Sequence, residues 1–248
     1  MTDLPRNAFK AALSRFELQR GVWCSIADPL VGEMLAGAGF DWVLYDTEHA
    51  FMDENTVIAM LQAAAPYPGS AIVRPSHLNP AEIKKLLDGG AQTILVPYVQ
   101  TPQEAALAAA SVAYPPDGIR GVAGVTRASR FGRVAQYHAR ARDEICLLVQ
   151  VETAASLPHI EAIAATPGVD GIFVGPADLA TSMGYSGDAS HPEVRRAVID
   201  AIRRIRAAGK PPGILALDDT LYDAAIEAGA VFVSRDVDMI ALMRGLSL

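Results

Sequence analysis

The sequence predicts a single α/β domain, a (β/α)8 TIM barrel in which eight parallel strands are each returned by a helix. Short apolar runs alternate with longer amphipathic stretches eight times within 248 residues, which is the rhythm of such a barrel. The runs are rich in Val, Ile and Leu and lack in-out alternation, as expected of strands buried on both faces. No G-x-G-x-x-G follows the first run, which disfavours the alternative of an open doubly wound sheet.

In chain order the strands are expected at GVWCSI (21–26), WVLYD (42–46), AIVR (71–74), TILVP (93–97), ICLLVQVE (145–152), GIFVG (171–175), GILAL (213–217) and VFVSR (231–235). Helix-like stretches lie between them at 53–65, 80–89, 101–112, 153–165, 191–208 and 219–228. No linker, repeat or low-complexity segment divides the chain, so residues 1–248 read as one domain. One connection breaks the rhythm. After the fourth β/α unit, residues 113–144 do not read as a simple helical return, and connections of that length are usually functional or cover an interface. This segment holds Arg120, Arg127, Arg130 and Arg133, whose plainest reading is a solvated basic face or subunit contacts.

Composition narrows the function. Hydrophobic residues make up 51% and charged residues 20% of the chain, ample for one core. A net charge of -7 with no lysine-arginine block argues against nucleic acid as the main partner. No apolar run approaches the roughly 20 residues that cross a bilayer. MTDLPRNAFKAAL has none of the features of a secretory signal, so a cytoplasmic protein without a membrane partner is expected. Cys24 and Cys146 sit in apolar runs without metal-ligand spacing and read as reduced, packed thiols.

A barrel of this class places its chemistry at the carboxyl ends of the strands. There the sequence sets Asp46, Glu48 and His49 after the second strand and Arg74 after the third. Gln150 and Glu152 end the fifth strand, and Gly175 ends the sixth with Asp178 three residues on. Each has an ordinary reading, Asp178 as a helix cap and Arg74 as a structural ion pair, but together they gather polar groups at one mouth of an apolar barrel. Two carboxylates on adjacent strands suit a hard divalent cation such as Mg²⁺, with water and substrate completing its shell. Mn²⁺ or Co²⁺ would also suit. In the Gly175-Pro176-Ala177-Asp178 turn, glycine allows close backbone approach and the free amides offer a place for a carboxylate. A 2-oxo acid would satisfy metal and turn together.

The set GFDWVLYDTEHAF, IVRP, LDGGAQTILVPYVQT, YPPDGIRGV, LLVQVET, VDGIFVGPADLATSMGY and HPEV resembles the HpcH/HpaI family of class II pyruvate aldolases. Within it, 4-hydroxy-2-oxoheptanedioate (hydroxyketoacid) aldolases are the nearest likeness. The resemblance runs from about residue 20 to 240. It implies a hexamer built as a dimer of trimers and dependence on Mg²⁺, Mn²⁺ or Co²⁺. Carried over by motif, it implies Glu152 and Asp178 as metal ligands and Arg74 as the group that stabilises the pyruvate enolate. It implies His49 as the acid–base residue with Asp88 as its orienting partner, and the turn at Gly175 to Asp178, beside Gln150, as the pyruvate seat. Asp-Thr-Glu-His stands here where relatives often carry Asp-Gly-Glu-His, and the stretch around LALDDT is where the aldehyde half is expected to vary.

An aldolase of this kind must stabilise an enolate through a lysine Schiff base or a metal. Lys10, Lys84, Lys85 and Lys210 are the only lysines and none ends a strand, which favours the metal. The expected activity is cleavage of 4-hydroxy-2-oxo acids to pyruvate and an aldehyde such as succinic semialdehyde. The candidate aldehyde pocket comprises Asp46, Trp23, Arg127 and Leu217. Alternatives are a 2-dehydro-3-deoxyglucarate-type sugar-acid aldolase, a citramalyl-CoA-type lyase and, outside enzymes, a 2-oxo acid binding protein.

Overall fold

The structure is a computed structural model that describes residues 3–246. Eight parallel strands close into one barrel in sequence order. A first helix, α1 (Ala8–Ser14), precedes β1 (Gln19–Cys24) and α2 (Pro29–Ala36). Then follow β2 (Trp42–Asp46), α3 (Glu54–Ala64), β3 (Ser70–Arg74), α4 (Pro80–Asp88), β4 (Thr93–Val96) and α5 (Pro102–Val112). The long connection contains α6 (Tyr137–Glu144) and leads to β5 (Cys146–Val151), α7 (Ile160–Ala164), β6 (Gly171–Val174), α8 (Pro176–Ser182) and α9 (Pro192–Ala207). The chain ends with β7 (Pro212–Leu215), α10 (Asp219–Glu227), β8 (Phe232–Val237) and α11 (Asp238–Leu246).

Alternation absent from the sequence pattern is present in the packing. One set of strand residues, including Val43, Val73, Val149 and Val174, packs outward beneath the helices. The alternate set, Trp42, Leu44, Ile72, Leu148 and Phe173, fills the barrel interior. Both faces are apolar because both are buried. At the amino-terminal mouth α1 plugs the interior, with Phe9 meeting Trp42 and Phe232 edge-on at centroid distances of 6.4 and 5.9 Å. Glycines make room for these rings: a Cβ at Gly21 would lie 2.0 Å from Trp42, and one at Gly213 2.1 Å from Phe232.

The long connection is tied down where its sequence suggested a solvated basic face. Arg120 is 1% exposed, donates to Asp88 Oδ1 at 2.7 Å and lies over the Tyr114 ring at 4.4 Å. Its burial corrects the solvated reading for that residue, and its counter-ion and ring contact supply the reason. Arg127 is half-buried and donates to the Gly89 carbonyl at 2.9 Å. Cys24 and Cys146 are free and buried, as expected.

Candidate active site

The inward rows that are apolar through the barrel end in charge at its carboxyl-terminal mouth. Trp42 and Leu44 are followed by Asp46, Ile72 by Arg74, and Leu148 by Gln150 and Glu152. Asp46 and Arg74 are register partners on neighbouring strands, so the two side chains meet by construction. Arg74 Nε donates to Asp46 Oδ1 at 2.9 Å and Nη2 to Oδ2 at 2.7 Å, a bidentate fork. The Glu48 N–H at 3.0 Å and the Trp23 indole at 3.3 Å also donate to Asp46. Burial alone would raise the Asp46 carboxyl, but the Arg74 hydrogen bonds and charge hold it below the usual carboxylate range. Asp46 therefore lies behind Arg74 as its counter-ion rather than on an aldehyde pocket wall.

The remaining edge of Arg74 faces Glu48 and Gln150. Nη1 lies 2.8 Å from Glu48 Oε2 and approaches Gln150 Oε1 at 3.5 Å. Glu48 Oε2 accepts no well-directed hydrogen bond and stands 3.8 Å from Nε2 of the exposed His49. Burial pushes the Glu48 carboxyl up in spite of Arg74 and His49. Glu152, 2% exposed, accepts from the Tyr98 N–H at 2.7 Å and from the Gln150 amide. Its carboxyl is pushed up to about 7, first by burial and then by the charges of Glu48 and Asp178, against the pull of Tyr98 N–H and Arg74. Gly175 permits this packing, since a Cβ there would fall 2.6 Å from Glu152 Oε2. Asp178 opens α8 from the exposed side, and no side chain caps that helix.

The donor set fits a hard divalent cation. Among the described residues no cluster of three His, Cys, Asp or Glu forms a complete metal centre. Glu152 and Asp178 instead offer two carboxylates, the number a Mg²⁺-type site uses when substrate and water supply the rest. A cation there would also offset the burial and the neighbouring negative charges that raise Glu152.

Arg74, Gln150, Asp178, His49 and the Gly175–Ala177 turn line one cleft of about 480 Å³. The HpcH/HpaI aldolase/citrate lyase family matches residues 19–242. The chain belongs to this family. A hydroxypyruvate/pyruvate aldolase from Sagittula stellata is 56% identical over 236 residues, covering 95% of this chain and 93% of that one. A 4-hydroxy-2-oxo-heptane-1,7-dioate aldolase from Salmonella paratyphi B is 49% identical over 241 residues, covering 97% and 92%. The crystal structure of an HpcH/HpaI family protein from Burkholderia cenocepacia superimposes with a TM-score of 0.93 at 39% identity, covering 97% and 96%.

Other residues expected in this HpcH/HpaI site divide into two groups. Trp23 and Leu217 do line the cleft, Trp23 buried under the Arg74 guanidinium at 5.0 Å and Leu217 exposed. Asp88 and Arg127 do not. Helix α4 runs back along the barrel, so Asp88 at its end lies toward the amino-terminal mouth, where Arg120 engages it. His49 is at the opposite mouth, and no His49–Asp88 contact forms within the chain. Arg127 lines a separate cleft with Gly90 and Thr93, again at the amino-terminal side. Glu48 joins the site through its contact with Arg74, a contact made in the bend after β2 that strand periodicity does not reveal. No lysine lines the cleft that holds Arg74.

Proposed function

We propose that the protein is a divalent-metal-dependent aldolase that reversibly cleaves 4-hydroxy-2-oxo acids to pyruvate and an aldehyde. The observation that carries this reading is a buried arginine, held by the carboxylates of Asp46 and Glu48, that lines a cleft with Asp178 and without any lysine. The family and the names of relatives that cover nearly the whole chain support the same activity. Glu152 and Asp178 would hold Mg²⁺, Mn²⁺ or Co²⁺, which when bound supplies Lewis-acid polarisation of the 2-oxo group.

The chain's own groups do the rest. The uncapped turn at Ala177 and Asp178 receives the pyruvate carboxylate, with Gln150 beside it. Arg74, fixed from behind by Asp46, presents Nη1 where negative charge develops on the former keto oxygen. Because that donor is already oriented, little reorganisation accompanies reaction. Trp23 and Phe173 keep that end of the cleft dry. His49, on the cleft wall, takes the proton of the 4-hydroxyl as the C3–C4 bond breaks, and proton return to C3 releases pyruvate. Asp88 and His49 stand at opposite mouths of one barrel, so the expected dyad forms between copies in the proposed hexamer.

Two measurements test this. Mn²⁺ binding, followed by electron paramagnetic resonance, is expected for the unaltered chain and lost in Glu152→Gln; equal binding in both would remove Glu152 from the metal site. Pyruvate release from 4-hydroxy-2-oxoheptanedioate should follow the same metal dependence. Mixing inactive His49→Ala and Asp88→Asn chains should restore activity to about a quarter of normal if random assembly pairs intact residues across subunits. No recovery would place the dyad elsewhere.

A further inference from the structure

The catalytic cleft has a second polar end that the proposed chemistry leaves unused. Arg195, early in α9, and Asp218, the N-cap of α10, meet on its outer wall, with Nη2 donating to Oδ1 at 2.8 Å. Arg195 Nε also donates to the Ser190 carbonyl at 3.0 Å, and Asp218 Oδ1 accepts from the Leu221 N–H at 2.8 Å. The pair is thus anchored on both sides. Among the described residues, Arg195 Nη1 and Asp218 Oδ2 have no hydrogen-bond partner. The same cleft that Arg74 lines also carries apolar groups from Ala189, Leu215, Ala216, Leu217 and Leu221. Besides Arg74 and its neighbours, the cleft thus offers an apolar lining and a second polar pair that carries one free donor and one free acceptor.

We propose that Arg195 and Asp218 together set the aldehyde specificity, accepting an uncharged, hydroxyl-bearing tail over a carboxylated one. The inference rests on the aldolase reading of the inner site. A hydroxyl can accept from Nη1 and donate to Oδ2 at once, whereas a carboxylate can only accept. A carboxylated tail also finds the guanidinium already neutralised and meets Asp218 as a like charge. The two side chains are 29% and 48% exposed, so solvent screens the effect and discrimination is graded rather than absolute.

The test compares kcat/KM for glyceraldehyde and succinic semialdehyde, each with pyruvate as donor. Asp218→Asn keeps the helix cap, because Asn caps as well as Asp, but leaves Arg195 its full charge. The preference should move toward succinic semialdehyde by about fivefold, the scale of a solvent-screened ion pair. Arg195→Gln leaves Asp218 alone in the wall and should move the preference the other way. An unmoved ratio in folded Asp218→Asn, or equal loss toward both aldehydes, overturns the proposal. Exchange of pyruvate methyl protons by the unaltered chain separates the two levels. Without exchange, both the inner-site reading and this one fail; exchange with an unmoved ratio defeats the specificity assignment alone.

Discussion

The two mouths of the barrel are built on the same inward rows and put them to opposite uses. At the amino-terminal mouth the rows begin in aromatic rings, with Phe9 fully buried against Trp42 and Phe232. At the carboxyl-terminal mouth they end in Asp46, Arg74, Gln150 and Glu152, all nearly as buried. Rings need only shape complementarity, and their burial stabilises the fold. Buried charges need partners, and groups that lack full satisfaction cost stability. Satisfaction is uneven at the carboxyl-terminal mouth: Asp46 has four donors, while the carboxyls of Glu48 and Glu152 are raised by burial. The amino-terminal mouth is closed by packed rings, whereas the carboxyl-terminal one holds buried charge that is only partly satisfied.

The largest test of this contrast is Arg74→Ala. Loss of the oriented donor should lower turnover by about two to three orders of magnitude. Stranding the buried Asp46 carboxylate should also cost about 3–5 kcal/mol of stability. Steady-state pyruvate release and urea unfolding read the two effects, and a variant that loses neither has no place for Arg74 in site or fold.

One substitution made at each mouth gives a sharper comparison. Gly213→Ala drives a Cβ to 2.1 Å from the Phe232 ring and should cost about 1–3 kcal/mol through overpacking, while turnover per folded molecule is retained. Gly175→Ala drives a Cβ to 2.6 Å from Glu152 Oε2. It should weaken Mn²⁺ binding by about tenfold, the scale of a disturbed ligand support. Calorimetric unfolding and metal titration distinguish the pair, and the contrast breaks if both variants lose the same property.

The smallest effect is on the acid limb of stability. The Asp46 carboxyl lies below its usual range in the fold and titrates near about 3.9 when unfolded. Its contribution is therefore fully present above the unfolded value and lost as pH falls through the lower folded one. The stability gap between the unaltered chain and Asp46→Asn should be constant near neutrality and shrink in acid. A gap that persists at the acid end would mean that Asp46 does not act as the ionised partner of Arg74.

Much of this was legible in the sequence. The second strand falls at Trp42–Asp46 as expected, the third at Ser70–Arg74, and the polar residues at their ends gather at one mouth. Which strand residues point inward was hidden, because both faces of a barrel strand are apolar and only charge at the strand end betrays the row. Helix α6, with the sequence YHARARDE, was hidden because it buries only Tyr137 and Ala141. Asp46 read as a pocket residue because its pairing with Arg74 is a matter of register between strands 28 residues apart. Asp88 and Arg127 came from motif and composition, neither of which tells one end of a barrel from the other. Arg120 shows the same limit, since burial beneath Tyr114 and opposite Asp88 depends on how a long connection folds back.

Proton exchange of the pyruvate methyl group in D₂O, followed by NMR, tests the central claim most directly because it needs no aldehyde. Chelator-stripped protein should leave the methyl signal intact. Added Mg²⁺, Mn²⁺ or Co²⁺ should make it decay, and Glu152→Ala should abolish the decay. Exchange in the stripped protein, or none with any of the three metals, would contradict a metal-dependent pyruvate enolate at this mouth of the barrel.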